Sequence, residues 1–337
     1  MNRIFPTNVF FASSRLMRRL VFGGGGRQFS SSSPSYDTVA FLGLGNMGLP
    51  MAVNLATKSD YSVVAFDLST HALNSAEKAG IRVAPSLEGI MDNPQTPPSM
   101  VITMLPSDAA VDSVMSILSS NAPPNTSFID CSTVSPTTSR QWHDALAEKG
   151  CLFVDAPVSG GVKGAKDATL TFMVGSDSAK LAENWMIHCV LSYMGSRIIP
   201  CGGPGSGAAV KLCNNLALAA QMTGICEAMN LGEALGVDPN ILSEVMNTST
   251  AKSWSCEINN PHPTVAAATK SPASKDYQGG FSTKLMLKDL QLAVGAGRNN
   301  QVALPVGCAI SELYNMADLR GLGDKDFGVL LQFLRGK

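Results

Sequence analysis

A lysine and an amide lie one helical turn apart in this chain, on a stretch that is otherwise mostly apolar. Residues 202–236 open on a glycine cluster and then continue without a proline for about eight turns, which predicts a long central helix. The four-residue spacing places Lys211 and Asn215 on one face of that helix. Loss of hydration and the nearby helix N-terminus both disfavour the ammonium form, so we expect a lowered pKa for Lys211.

A lysine with a lowered pKa can act as a general acid or base, and Lys211 is the candidate for that role. The alternative is a solvated lysine whose stem lies along the apolar surface.

The predicted central helix is nearly long enough to span a bilayer. We expect no membrane partner, because a membrane helix would not carry Lys211, Asn214, Asn215, Gln221, Glu227 and Glu233.

A glycine-rich turn is the second candidate site. Residues 38–42 (TVAFL) predict a buried strand and 49–58 a helix, with GLGNMG between them. The first glycine of GxGxxG permits a tight turn, the second lets the backbone approach a pyrophosphate, and the third allows close helix packing. The expected cofactor contacts in this turn are Gly43, Gly45, Asn46, Met47 and Gly48.

The second predicted strand, residues 61–66, ends on Asp67 and completes a βαβ unit. The carboxylate of Asp67 is expected to bind the hydroxyls of the adenosine ribose and to repel the extra phosphate of NADP. Leu68, the next expected cofactor contact, supplies no arginine that would reverse this preference. NAD is therefore the predicted cofactor.

The alternation of strands and helices continues beyond this unit. Further strands are predicted over 100–105, 127–131, 151–156 and 169–174, and helices over 72–79, 109–118 and 137–149. Ligands of such sheets bind at the carboxyl ends of the strands, so we expect Leu105, Pro106 and Thr133 near the nicotinamide and its ribose. A routine strand terminator is an equal alternative for the Leu105-Pro106 pair.

Two further sequence features lie near these elements. In VDAPVSGG (154–161) a strand runs into a serine and two glycines, whose backbone N–H groups can form a nest for an anion such as a substrate carboxylate. An ordinary glycine turn is the alternative. Lys288, next to Asp289, lies on a predicted apolar helix, where an intrahelical ion pair is the simplest explanation.

Length and spacing predict two folded domains after a leader. At 337 residues the chain exceeds one usual core, so we place an α/β domain over 36–201 and a second domain over 202–337. The second domain is predicted to be all α, with helices over 240–246, 285–297, 305–319 and 325–334 and a loop over 259–280.

Residues 1–35 contain five arginines and a serine run but no acidic residue, which is typical of a mitochondrial or chloroplast transit peptide. We favour the mitochondrial matrix; a disordered tail or a secretory signal is the alternative.

Removing the leader takes away five of 25 basic and none of 26 acidic residues, so the remaining net charge is −6 and nucleic acid is not an expected partner. The eight cysteines are scattered without a CxxC pair, so no metal site is expected.

Four separated segments together resemble the motifs of the β-hydroxyacid dehydrogenase family. They are FLGLGNMGLPMAVNLA (41–56), DAPVSGGVKGA (155–165), GPGSGAAVKLCNN (203–215) and FSTKLMLKDLQLA (281–293). The resemblance implies a Rossmann-type α/β N-terminal domain and an all-α C-terminal domain linked by a long helix. It also implies a homodimer or homotetramer.

The resemblance further implies roles for particular residues. Lys211 would be the catalytic general acid and base, and Asn215 would bind near the reacting hydroxyl. Lys288 would approach the nicotinamide end of NAD, while the substrate carboxylate would be held by Ser159, Gly160 and Gly161.

The implied reaction is the NAD-dependent oxidation of 3-hydroxyisobutyrate to methylmalonate semialdehyde in valine degradation. One alternative keeps the family but makes the protein an NADPH-dependent reductase of glyoxylate, succinic semialdehyde or tartronate semialdehyde. The other is a dinucleotide-binding protein without catalytic activity.

Overall fold

A six-stranded, entirely parallel sheet organises the first half of the described chain. The computed structural model describes residues 37–91, 97–176, 184–265 and 270–336, so the expectations for the leader lie outside the described residues. The strand order is β3-β2-β1-β4-β5-β6. The strands are β1 (Thr38–Leu42), β2 (Ser62–Phe66), β3 (Arg82–Val83), β4 (Met100–Thr103), β5 (Ser127–Asp130) and β6 (Leu152–Asp155).

Helices cover both faces of this sheet, which is why its strands are almost continuously apolar. All five residues of β1 are buried, and alternate residues of the strand belong to separate apolar clusters on the two faces. The helices that follow the strands are α1 (Gly48–Lys58), α2 (Thr70–Lys78), α3 (Asp108–Asn121) and α4 (Pro136–Ala147). These elements confirm the predicted Rossmann-type architecture.

A second, three-stranded sheet follows, and here the sequence prediction was incomplete. The strand predicted over 169–174 exists as β8 (Leu170–Val174), but it pairs with β7 (Val158–Ser159) and β9 (Gly195–Pro200) instead of extending the large sheet. The two-residue β7 is too short for an alternation signal. Two helices that the sequence analysis did not predict, α5 (Gly161–Asp167) and α6 (Trp185–Ser192), lie between these strands.

The long helix α7 runs over Ser206–Ala234, 29 residues, which confirms the predicted helix of about eight turns after the glycine cluster. The helix begins only after Gly202 and Gly205 because these glycines adopt positive φ angles of 111° and 79°, which a right-handed helix does not allow. One side of α7 packs in an apolar cluster with the helices that follow it.

The remaining described elements are helical, apart from one isolated bridge between Ser282 and Asp326. The α-helices are α8 (Pro239–Thr248), α9 (Trp254–Glu257), α10 (Thr283–Asn299), α11 (Pro305–Ala317) and α12 (Leu330–Leu334). A short π-helix covers Asp318–Leu322, and 3-10 turns cover Glu88–Ile90, Pro272–Lys275 and Phe327–Val329. The all-α prediction for this half is confirmed, while the boundary between residues 201 and 202 stays a prediction.

The predicted helix over 325–334 was wrong in its first two residues. Asp326 is extended, with ψ of 143°, and its side chain accepts the N–H of Gly328 at 2.9 Å. The carboxylate therefore caps the 3-10 turn that follows instead of lying within a helix.

Candidate active site

The glycine turn at residues 43–48 connects β1 to α1 and requires glycine at two positions. A Cβ atom on Gly48 would lie 1.8 Å from the carbonyl oxygen of Gly43. Gly43 has a φ of 92°, and its Cβ would lie 2.3 Å from the carbonyl oxygen of Met104. Gly45, in contrast, faces open space. The turn is therefore packed tightly against the sheet on one side and open on the other.

The open side of this turn suits a pyrophosphate. Within the described residues, the side chain of the cap residue of α1, Met47, makes no capping hydrogen bond, and the first turn of the helix contains no acidic residue. Asn46 is exposed and Met47 is half-buried. The N–H of Leu49 already donates to the carbonyl of Gly45 at 3.1 Å and Pro50 has no N–H, so the N–H groups at and before Gly48 are the ones that fit the phosphates of a dinucleotide.

Asp67 lies against the same turn. Its carboxylate accepts the N–H of Leu44 at 2.6 Å and the N–H of Ser69 at 2.7 Å. Leu68 is 94% exposed. The structure thus brings the end of β2 and the glycine turn together, as the sequence pattern predicts, and Asp67 has the additional role of holding the turn in place.

A hydrogen-bond network orders the loop after β4. Ser132 accepts the N–H of Leu105 at 2.8 Å and donates its own N–H to Asp130 at 3.1 Å. Asp130 also accepts the hydroxyl of Thr103 at 2.8 Å, and burial raises the pKa of Asp130 to about 6. Leu105 is half-buried and contacts the position of Gly43, and Pro106 is exposed. The sequence places Ser132 beside Thr133 at the end of this strand, but it gave no sign of the contact between Ser132 and Leu105.

Lys211 is buried on α7, only 9% exposed, so the interpretation as a solvated lysine was wrong. Its Nζ donates to Oδ1 of Asn215 at 3.1 Å. Burial lowers the pKa of Lys211 to about 8, the carboxylate of Asp289 opposes that shift, and the ammonium of Lys288 adds to it. The expected lowering is confirmed, with desolvation as its main cause.

Asp289 connects the two lysines, and its role was missed in the sequence analysis. This carboxylate is 2% exposed; one oxygen accepts the amide of Asn215 at 2.5 Å and the other lies 3.0 Å from Nζ of Lys288. Lys288 also donates to the carbonyl oxygen of Thr133 at 2.5 Å. The expected ion pair on α10 exists, and it belongs to a buried network that reaches α7 and the end of β5.

These contacts arrange most of the predicted site residues in a continuous series. One end is Asp67 and the glycine turn, followed by Leu105 and Ser132. Thr133 then contacts Lys288, and Asp289 leads to Asn215 and Lys211. The series runs from the expected ribose-binding acid to the expected proton acceptor.

Residues 159–161 lie apart from this series. Ser159 ends β7 and is half-buried, whereas Gly160 and Gly161 are exposed and have φ angles of 136° and 62°. Among the described residues, no side-chain hydrogen bond links this segment directly to Lys211. Its predicted role in holding a carboxylate therefore stays a prediction.

Comparisons with known proteins match both halves of this chain to dehydrogenases. The family model for the NAD binding domain of 6-phosphogluconate dehydrogenase matches residues 38–203. A second model, for the NAD-binding domain of NADP-dependent 3-hydroxyisobutyrate dehydrogenase, matches residues 205–334. The mitochondrial 3-hydroxyisobutyrate dehydrogenase of Drosophila melanogaster is 41% identical, covering 88% of this chain and 89% of the relative.

Two bacterial proteins are similarly related. The NAD-dependent L-serine dehydrogenase of Pseudomonas aeruginosa is 39% identical over 87% of this chain and 96% of the relative. The solved structure of Mycobacterium tuberculosis 3-hydroxyisobutyrate dehydrogenase with L-serine is 40% identical. It superposes with a TM-score of 0.80, covering 89% of this chain and 99% of the solved chain.

The predicted cofactor, NAD, is confirmed by these matches. Across the described parts of the chain, no helix combines the length and the apolar character that a membrane span requires. The His, Cys, Asp and Glu residues in those same parts form no group of three or more that would hold a metal ion.

Proposed function

Because this chain belongs to the β-hydroxyacid dehydrogenase family, we propose that it oxidises 3-hydroxyisobutyrate to methylmalonate semialdehyde in valine degradation, with Lys211 as the general base. The observation that carries this proposal is the buried Lys211–Asn215 pair, with a lysine pKa of about 8. Near that pH a lysine is available in both protonation states, as a reversible proton transfer requires.

The proposed mechanism assigns a separate task to each part of the site. NAD, when bound, is the hydride acceptor. Neutral Lys211 accepts the proton of the substrate hydroxyl, and Asn215 orients the same oxygen with the amide hydrogen that Asp289 leaves free. The backbone of residues 159–161 holds the substrate carboxylate. Lys288 donates to the carbonyl oxygen of Thr133, which orders the loop after β5, and both residues would lie at the nicotinamide end of bound NAD.

L-serine is a second candidate substrate, because one relative is named for its oxidation and one solved relative contains it. Both compounds carry a carboxylate and a primary alcohol on the third carbon. Steady-state assays of the purified protein with 3-hydroxyisobutyrate, L-serine and glyoxylate, each with NAD(H) and NADP(H), separate these options. The assay of glyoxylate with NADPH also detects a glyoxylate reductase, the alternative within the same family. A protein that binds NAD but turns over none of these compounds would contradict the proposal.

We expect NAD to be preferred over NADP, and Asp67→Ala to narrow the difference in kcat/KM by about tenfold, which corresponds to about 1.4 kcal/mol. The reason is that the Asp67 carboxylate lies beside the glycine turn, where it would repel the extra phosphate of NADP. Glu77→Ala, which removes an exposed acid on α2, is the matched control and should leave the ratio unchanged. Better use of NADP than NAD by the unmodified protein would refute this role of Asp67.

We propose a mitochondrial matrix location, supported by the composition of residues 1–35 and by relatives that are named mitochondrial. A fluorescent reporter fused to residues 1–35 should enter mitochondria, because an arginine-rich and acid-free leader suits that import route. The matched control is the same leader with its five arginines changed to glutamine, which should stay in the cytosol. Cytosolic fluorescence of the unmodified fusion would contradict the assignment.

We also infer a homodimer or homotetramer, which sedimentation velocity measures directly. Several large apolar side chains of the helical half are exposed, as association through this half requires. They include Leu231, Leu235, Ile241, Val245 and Leu319.

A further inference from the structure

Asp155, the last residue of β6, is a buried carboxylate whose hydrogen bonds go to the backbone at the start of α7. One oxygen accepts the N–H of Gly205 and the other accepts the N–H of Ala208, both at 2.9 Å. The N–H of Gly207 adds a third interaction. The cap residue of α7 is Gly205, which has no side chain, so Asp155 supplies the cap from another part of the chain.

Two glycines shape the space that this carboxylate occupies. A Cβ on Gly175 would lie 1.9 Å from one oxygen of Asp155. A Cβ on Gly207 would lie 2.9 Å from the other oxygen and 2.1 Å from the carbonyl oxygen of Met173. The carbonyl of Asp155 also accepts the N–H of Gly175 at 2.7 Å. Strand β6, the end of β8 and the first turn of α7 are therefore fastened together around one side chain.

The converging N–H groups require an acceptor that carries no hydrogen of its own. An ionised carboxylate meets this requirement, whereas an asparagine in the same place would turn its NH₂ group toward one of the donors. Burial raises the pKa of Asp155, and the N–H donors of Ala208 and Gly205 oppose that shift because they favour the charged form. A carboxylate at the N-terminus of α7 also has the favourable sign for the helix dipole.

The position of Asp155 in the chain gives this cap a consequence for the site. Ser159 follows four residues after Asp155, and Lys211 follows three residues after Ala208. We propose that Asp155 is the positioning residue that fixes the spacing between Lys211 and residues 159–161. This inference rests on the function proposed above, in which Lys211 takes the proton and residues 159–161 hold the carboxylate. Because its oxygens are occupied by backbone donors, Asp155 acts through α7 and does not bind substrate.

The test compares Asp155→Asn with Asp238→Asn in the full chain. Asp238 is the matched control because it caps the helix α8, accepting the N–H of Asn240 at 2.7 Å and of Ile241 at 3.3 Å. In Asp155→Asn we expect amide hydrogen exchange over residues 205–211 to accelerate about tenfold or more, because the first turn loses its cap. We expect kcat to fall by about 10²-fold with an unchanged KM for NAD, because misplacing a catalytic group is that costly.

A second readout separates positioning from a loss of stability. 4-Hydroxybutyrate is a primary alcohol like 3-hydroxyisobutyrate, but its hydroxyl lies one carbon farther from the carboxylate. If Asp155 fixes the spacing, Asp155→Asn should raise the ratio of kcat/KM for 4-hydroxybutyrate to kcat/KM for 3-hydroxyisobutyrate by about tenfold. A purely structural effect would lower kcat/KM for both acids together and leave their ratio unchanged. Asp155→Ser leaves one shorter acceptor and places no NH₂ group against the backbone donors, so it is the second variant to measure where Asp155→Asn does not fold, with a change of this ratio in the same direction.

The possible outcomes are distinct. Unchanged exchange over 205–211, or faster exchange with kcat and the substrate ratio both unchanged, would overturn the role of Asp155 while the unmodified protein stays active. An unmodified protein that oxidises no 3-hydroxy acid would refute the proposed function, and the spacing role with it. Equal changes in Asp238→Asn would show that capping any helix matters, which would also overturn the inference.

Discussion

Replacing Lys211 with alanine is expected to lower kcat by about 10²- to 10⁴-fold, the usual contribution of general acid or base catalysis. The change removes the only group in the Lys211–Asn215 pair that can accept a proton near neutral pH. NAD binding should survive, because the glycine turn and Asp67 lie at the other end of the site. Steady-state kinetics together with a direct measurement of the Kd for NAD would check both parts.

The pH dependence of the unmodified protein tests the same residue. Oxidation needs neutral Lys211, so kcat/KM for the hydroxy acid should rise with pH through about 8 and then level off. Reduction needs the protonated form, so its rate should be highest below that pH and should fall above it. The rate of oxidation should therefore rise and the rate of reduction should fall around the same pH. This is the expected result if Lys211 carries the proton in both directions.

Two further variants complete this test of Lys211. Lys211→Arg keeps the charge but cannot release a proton near neutral pH, so it should fail almost as badly as alanine. Lys284→Ala is the control, because Lys284 is an exposed lysine on α10 that pairs with Asp324 at the surface. If either variant of Lys211 oxidised substrate within a few-fold of the unmodified rate with the same pH profile, Lys211 would not be the proton acceptor.

The parts of the structure that follow from local sequence were predicted well. The unit from β1 to β2 matches its predicted bounds to within one residue, because strand, glycine turn and helix each have a short-range signal. The lowered pKa of Lys211 was also predicted, because a place on an apolar helix face indicates a buried side chain, and burial is the main cause of the shift.

The parts that were missed depend on contacts between distant residues. Asp289 binds Asn215 across 74 positions of sequence, and Lys288 binds Thr133 across 155. No periodicity encodes such pairs, so the sequence suggested only an ion pair within one helix. The strand β9 was missed for a similar reason: it depends on its pairing with β8, and its residues show no clean alternation.

Asp289→Asn should shift the rise of kcat/KM for oxidation with pH to a lower pH, and it should lower kcat by about ten- to 100-fold. The carboxylate of Asp289 raises the pKa of Lys211, so its removal allows burial to lower that pKa further. The fall in kcat follows because Asn215 and Lys288 lose the acceptor that aligns them. Leaving these buried donors poorly satisfied should also destabilise the fold by about 1–3 kcal/mol, which thermal denaturation measures.

The matched control for Asp289 is Asp324→Asn, which removes the exposed acid that pairs with another lysine of the same helix, Lys284. A surface pair contributes only about 0–1 kcal/mol, so this variant should change neither the pH limb nor kcat. The pH limb is the decisive readout, because a loss of stability alone lowers the amount of active protein without moving the pKa of Lys211. A limb that stays in place in Asp289→Asn would show that burial alone sets that pKa and that Asp289 serves the fold rather than the reaction.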